Sequence, residues 1–240
     1  MGAVISDQTR SWRGQLTQRE RRVGMGFFLF YLLIFPFLPH WLGGRAAAEQ
    51  AGSAMDPMQS LAIYYVVVAA AMVAVFWAFL RQGYVILKEN FQPSVFAFGA
   101  GLLAAVVITC LVGLIPLPVP NQEIMTYKLY LMERPLLTWA LAGALRPAVE
   151  EVLYRGFLFG VVRRENRPLA YLLSAGLFAL SAVWLSALGN PAYLLVILQY
   201  IPLGVVLCWS YDVSGSVFVP VALRMAAQTL FLIFAAMTHI

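Results

Sequence analysis

Charge is what this chain has least of. Of its 240 residues only 27 are charged, 16 basic and 11 acidic, which is 11% against 62% hydrophobic. A soluble domain carries roughly 25% charged residues and needs them to coat its surface. A mean hydropathy of +0.80 excludes disorder and argues against a soluble globule, which leaves lipid as the natural solvent. Cysteine is nearly absent too. Cys110 and Cys208 each stand inside an apolar run, so there is no disulfide framework and no Cys/His metal spacing, and both read as small buried hydrophobes. The two histidines, His40 and His239, sit at the outer ends of hydrophobic runs as interfacial polar residues. Neither a metal nor another cofactor is expected. The net charge of +5 comes from basic residues beside apolar spans, where the positive-inside bias explains them, so nucleic acid is not expected as a partner. No internal repeat, low-complexity tract or long linker divides the chain.

What is present is a series of long apolar runs. Seven are long enough to cross a hydrocarbon core about 30 Å thick, which takes about 20 helical residues. They fall at about 24–42, 61–81, 94–118, 135–163, 169–187, 192–210 and 215–238. Residues 1–23 form a basic segment with Arg10, Arg13, Arg19, Arg21 and Arg22, with Trp12 and Leu16 as apolar anchors of an interfacial helix. It is too long and polar for a secretory signal. Alternating the spans from a cytoplasmic N-terminus places these five arginines with Arg81, Lys88, Arg155, Arg163, Arg164 and Arg167 inside. Only Arg45, Lys128 and Arg134 then fall outside. This asymmetry predicts an inner N-terminus and an outer C-terminus. Residues 24–240 read as one polytopic membrane domain. The connections Gly43 to Ser60 and Val119 to Arg134 read as surface loops.

One segment breaks the apolar pattern. A central charge costs about 2.5–3.5 kcal/mol on insertion scales, yet Arg146, Glu150, Glu151 and Arg155 lie within ten residues of the fourth span. Pro147 removes a backbone donor and should kink the fourth span just ahead of the acidic pair. Glu151 and Arg155 are spaced i,i+4, as are Arg146 and Glu150, so two local ion pairs are one reading. A polar site that does, or once did, chemistry is the other, because adjacent mid-membrane carboxylates are a poor route to stability. Tyr154, one turn from Glu150, either caps that carboxylate or fills space. Gly156 and Gly160 form a G-x-x-x-G step suited to close helix packing. Gln199, Tyr200 and Pro202 offer a kink or polar contacts in the sixth span.

From Pro147 to Gly160 the chain reads P-A-V-E-E-V-L-Y-R-G-F-L-F-G. This run resembles the first motif of the CPBP family, the Abi-type intramembrane peptidases related to the type II CAAX prenyl endopeptidase, whose motif is Glu-Glu followed by x-x-x-Arg. The resemblance runs from about Pro135 to the C-terminus, which makes 135–240 the CPBP-like core. It implies an all-α integral membrane fold of about seven transmembrane helices plus the N-terminal interfacial helix. The expected location is a prokaryotic cytoplasmic membrane. In that family the first glutamate activates water for attack on a peptide carbonyl. Histidines on two later spans, and an asparagine one turn beyond the second, orient the water and stabilise the oxyanion. Carried over, Glu150 is the base, with Glu151 and Arg155 as its supporting pair and Arg146, Pro147 and Tyr154 around them. The second motif, Phe-x-x-x-His, becomes Phe178 to Ala182, and the third, His-x-x-x-Asn, becomes Arg224 to Gln228. All three family side chains after the first motif are therefore replaced.

The replacement changes the chemistry available. A neutral imidazole accepts a proton, whereas a guanidinium only donates hydrogen bonds and carries fixed charge. At about 1.5 Å per residue, Arg224 comes to a depth between Glu150 and Arg155, so the positions can meet. Held against Glu150, Arg224 favours the carboxylate and makes a poorer general base. The sequence thus points to a catalytically degenerate homologue that binds, scaffolds or chaperones another membrane protein or peptide in the lipid bilayer. An altered endopeptidase, with Glu150 as base and Arg224 and Gln228 as oxyanion donors, is the alternative. A proton or solute carrier is a third class, disfavoured because the first half holds no second broken helix.

Overall fold

The hydrophobic runs fold as helices, and their boundaries follow local chemistry. The computed structural model describes residues 15–38 and 57–238. Arg10, Trp12, Arg13, His40, Arg45, His239 and most of the connection from Gly43 lie outside the described residues.

Helix α1 (Gln18–Leu29) starts at a capping box, with the Thr17 hydroxyl accepting the Glu20 amide and the Glu20 carboxylate accepting the Thr17 amide. It continues as a wide π turn (Phe30–Ile34) and a tight 3-10 turn (Phe35–Phe37) that holds Pro36. Helices α2 (Pro57–Val75) and α3 (Trp77–Glu89) are separated at Phe76, and α4 spans Phe91–Gly113. Helix α5 (Gln122–Glu133) follows Asn121, whose side chain accepts the amides of Glu123 and Ile124. Helix α6 occupies residues 135–163. Helix α7 (Arg167–Gly189) is capped by Asn166, a 3-10 turn (Pro191–Val196) leads into α8 (Ile197–Ser214), and α9 runs from Phe218 to Thr238. Gly215, at φ 71°, ends α8 in the left-handed conformation that glycine adopts at least cost.

Among the described residues every regular element is a helix. Five are long and apolar enough to cross a membrane: Met58–Val75, Phe91–Gly113, Arg167–Gly189, Pro191–Ser214 and Phe218–Met237. The chain is an all-α integral membrane protein. The expected count of seven is not reached by this measure. The fourth expected span is helical throughout 135–163, but it alternates α and π turns and so contains no long regular helix. The first is helical to residue 38, the last one described before the gap. The second ends at Val75, and the stretch expected as a cytoplasmic connection is α3. The expected surface loop from Val119 to Arg134 is a second departure, because most of it is α5.

Two ends of the bundle are tied by polar contacts. At one, the Gln15 amide donates to the Gly215 carbonyl (2.7 Å), Asn90 to that of Ser214 (3.4 Å), and the Ser216 hydroxyl to that of Gly83 (2.9 Å). At the other, Asn121 donates to Gln199 (2.9 Å) and Gln122 to the Tyr193 hydroxyl (2.8 Å). Between them lies an aromatic core. Phe28, Phe76, Phe79, Tyr154, Phe157 and Phe178 are buried and meet mostly edge to face.

Candidate functional site: a buried chain of alternating charges

Proline shapes the helix that carries the acidic pair. Ahead of Pro147 the backbone widens into a π turn over Trp139–Leu145, in which the Arg146 amide reaches back five residues to the Leu141 carbonyl. Arg146–Glu151 returns to α geometry, and Val152–Phe159 widens again. Where a kink was expected at Pro147, the structure shows a local change of helical winding, of the kind found at functional sites. It places Glu150 and Glu151 in the core, at 4% and 0% exposure.

Six side chains from three helices form a line of alternating charge. Arg155 donates to Glu151 (3.0 Å), Arg224 to Glu151 (3.1 Å) and to Glu150 (2.5 Å), and Arg146 to Glu150 (2.8 Å) and to Glu123 (2.8 Å). Three cations and three anions cancel, which is how a low-dielectric interior accommodates them. Both local pairs expected from i,i+4 spacing are present, and Arg224 of α9 joins them into one network.

Neutral groups complete the line. Arg155 also donates to the Gly204 carbonyl of α8 (3.1 Å), and Arg146 to the Tyr127 hydroxyl (2.6 Å). Tyr31 donates to Glu150 (3.3 Å) and meets Tyr65 (3.2 Å), while Tyr200 donates to Glu123 (3.0 Å). The guanidinium carbons of Arg155 and Arg224 stand 4.5 Å and 4.4 Å from the centre of the Phe178 ring. Phe178 thus supplies a π face to both cations.

Glu150 has no uncommitted oxygen. Its Oε1 accepts from Arg146 and Tyr31, and its Oε2 from Arg224. Of the pair, only Oε2 of Glu151 lacks a hydrogen-bond partner among the described residues, and it is fully buried. Ala182 is half-buried one turn beyond Phe178 and brings no polar atom. Gln228 is half-buried one turn beyond Arg224 and joins no ion pair or hydrogen bond among the described residues. Tyr154 does not cap Glu150; its ring packs edge to face with Phe28 and Phe178.

Comparison with known proteins bears on this half of the chain. Residues 132–230 match the family model described as type II CAAX prenyl endopeptidase Rce1-like. This region is similar to that family. No curated protein and no solved structure matches the chain. The Rce1-like region holds Arg146, Glu150, Glu151, Arg155, Phe178 and Arg224, so five of the six members of the charge line lie within it. Its outer cap does not. Glu123, Tyr127, Tyr31 and Tyr65 come from before the matched residues and were not anticipated. For Glu123 a sequence signal existed, since Asn121 before Gln122-Glu123 is a helix-start pattern. Tyr31 and Tyr65 lay inside apolar runs, where nothing local distinguishes them from core aromatics.

Proposed function

We propose that the chain is a catalytically degenerate Rce1-like membrane protein that binds, scaffolds or chaperones another membrane protein. The observation that supports this reading most is the Arg224 guanidinium, which bridges Glu150 and Glu151. A general base must hold an oxygen free to take a proton from water. Both Glu150 oxygens accept from cations instead. Arg224 is itself committed to the two carboxylates and to the Phe178 face, so its charge is not free for an oxyanion. Without an imidazole at Ala182 or Arg224, no second proton acceptor stands where the family pattern has one.

The test is release of the C-terminal tripeptide from a farnesylated CAAX peptide by the full chain in liposomes, beside Glu150→Gln. The degenerate reading expects equal, background release from both. Release that Glu150→Gln abolishes overturns it in favour of a rewired endopeptidase. A second measurement does not depend on the substrate. Dicyclohexylcarbodiimide modifies protonated intramembrane carboxyls, so Glu150 should stay unmodified in the parent chain and become modified in Arg224→Gln.

A further inference from the structure

Helix α3 joins two spans at one end of the bundle. It begins two residues after α2 ends at Val75 and finishes two residues before α4 starts at Phe91, so it connects the ends of two membrane-spanning helices. It is amphipathic. Phe79 and Gly83 face the protein, while Trp77, Arg81, Gln82, Tyr84, Val85 and Lys88 are exposed. At roughly 100° per residue, Trp77, Arg81, Tyr84 and Lys88 fall within about 60° of one another around the axis. Glu89, the one acid on the helix, lies about 100° round from Lys88, on the side of Val85 and one turn beyond the last groove residue.

Exposure of this face combines cation with aromatic. Trp77 is 64% exposed and Tyr84 50%, and the Lys88 ammonium lies 4.4 Å from the Tyr84 ring centre. A groove of about 330 Å³ opens beside them, lined by Trp77, Ala78, Arg81, Gln82 and Val85. It has one cation, one amide donor, an indole rim and two small or branched apolar side chains. That is the donor set for a phosphodiester above a glycerol backbone, with the indole at headgroup depth. The first turns of α1 add positive charge at the same end. Glu20 of α1 accepts the Phe79 amide of α3 (2.8 Å), which brings the exposed Arg19 and Arg22 into this neighbourhood.

We propose that the Trp77–Arg81 groove of α3 binds the phosphate of an anionic phospholipid in the leaflet at this end of the bundle. Arg81 and Gln82 hold the phosphate oxygens, Trp77 and Val85 border the glycerol and upper acyl chain, and Lys88 adds to the local positive field. The assignment is independent of any activity at Glu150.

The experiment reconstitutes the full chain in phosphatidylcholine vesicles containing an equal share of brominated phosphatidylglycerol or brominated phosphatidylcholine, with bromine near the headgroup. The Trp77 contribution to fluorescence is taken as the difference from Trp77→Phe. Its quenching should be markedly stronger with the brominated anionic lipid. Arg81→Gln should reduce the apparent preference by about fivefold, the worth of one basic side chain at an anionic surface. Lys128→Gln, on α5 beyond the far end of α4, should leave the preference unchanged. Equal quenching by the two lipids, or a preference untouched by Arg81→Gln, overturns the proposal. So does displacement by millimolar inorganic phosphate, which assigns the groove to a free phosphate.

Discussion

At the scale of single residues, Arg224 is the pivot of the buried site. Among the described residues it is the only side chain that contacts both members of the acidic pair and lies on another helix. Removing one partner of a buried pair typically costs about 3–5 kcal/mol, because the charge left behind is uncompensated. Arg224→Gln should therefore destabilise the chain by about that amount in equilibrium unfolding from mixed micelles. Arg224→Lys should fall between, since a point-charge ammonium lacks the planar fork that spans two carboxylates. Replacing Arg224 and Glu150 together by leucine should lose less than the sum of the two single changes. Glu151 then keeps Arg155, and Arg146 keeps Glu123. An additive result would mean that Arg224 and Glu150 are not coupled. Phe178→Ala should cost about 3–5 kcal/mol, as expected for a fully buried aromatic, and should weaken the placement of both stacked guanidiniums.

At the scale of elements, helix breaks are where polar groups are spent. The gap at Phe76 starts a new helix inside apolar surroundings, and the amide it frees at Phe79 is accepted by Glu20 from α1. The same carboxylate closes the capping box at Thr17, so one buried acid starts two helices. Glu20→Ala should cost about 1–2 kcal/mol in stability from the lost caps. Amide hydrogen exchange at Phe79 should accelerate in that variant, and unchanged protection there would remove the link between α1 and α3. Close approach is the other device. A Cβ added to Gly156 would lie 2.7 Å from the Phe79 ring, so Gly156→Ala should cost about 1–3 kcal/mol through overpacking, seen as a lower melting temperature. The G-x-x-x-G spacing foretold close packing at Gly156. Gly160 is less tight, with the Tyr211 hydroxyl 3.7 Å from where its Cβ would be.

At the scale of the whole molecule, topology follows from which polar residues share an end. Asp212 accepts from Arg163 (2.7 Å), Arg167 (2.8 Å) and Tyr171 (3.1 Å), fastening α6, α7 and α8 at the end that also holds Gln15 and Gly215. Asn121 and Glu123 fasten α5 to α8 at the other. We propose that the Asp212 end is cytoplasmic, following the excess of basic residues there. Cys110, expected to be buried, is exposed, unlike the buried Cys208; with it replaced by serine, Arg164→Cys should react with an impermeant maleimide only from the cytoplasmic side. Lys128→Cys should react only from the outer side. Labelling of both from one side would reject the topology.

Much of this was legible in the chain itself. Scarce charge and long apolar runs dictate a helical membrane protein, because backbone groups in lipid must be satisfied within each helix. The Glu-Glu-x-x-x-Arg run carried the resemblance to a family whose model matches residues 132–230, and it marked where the buried charges lie. What one-dimensional pattern left open was partnership across helices. The motif positions bring Arg224 to the depth of Glu150, but nothing in the sequence of α9 specifies that it bridges both carboxylates some 70 residues earlier. Nor does the sequence of α5 announce that Glu123 and Tyr127 close the outer end of the charge line. Those contacts depend on which faces of α5, α6 and α9 meet, and that is decided by packing the whole apolar core. Composition chose the solvent and the helices, while the tertiary fold chose which charges neutralise one another, since a buried charge is tolerated only where another element brings its counterpart.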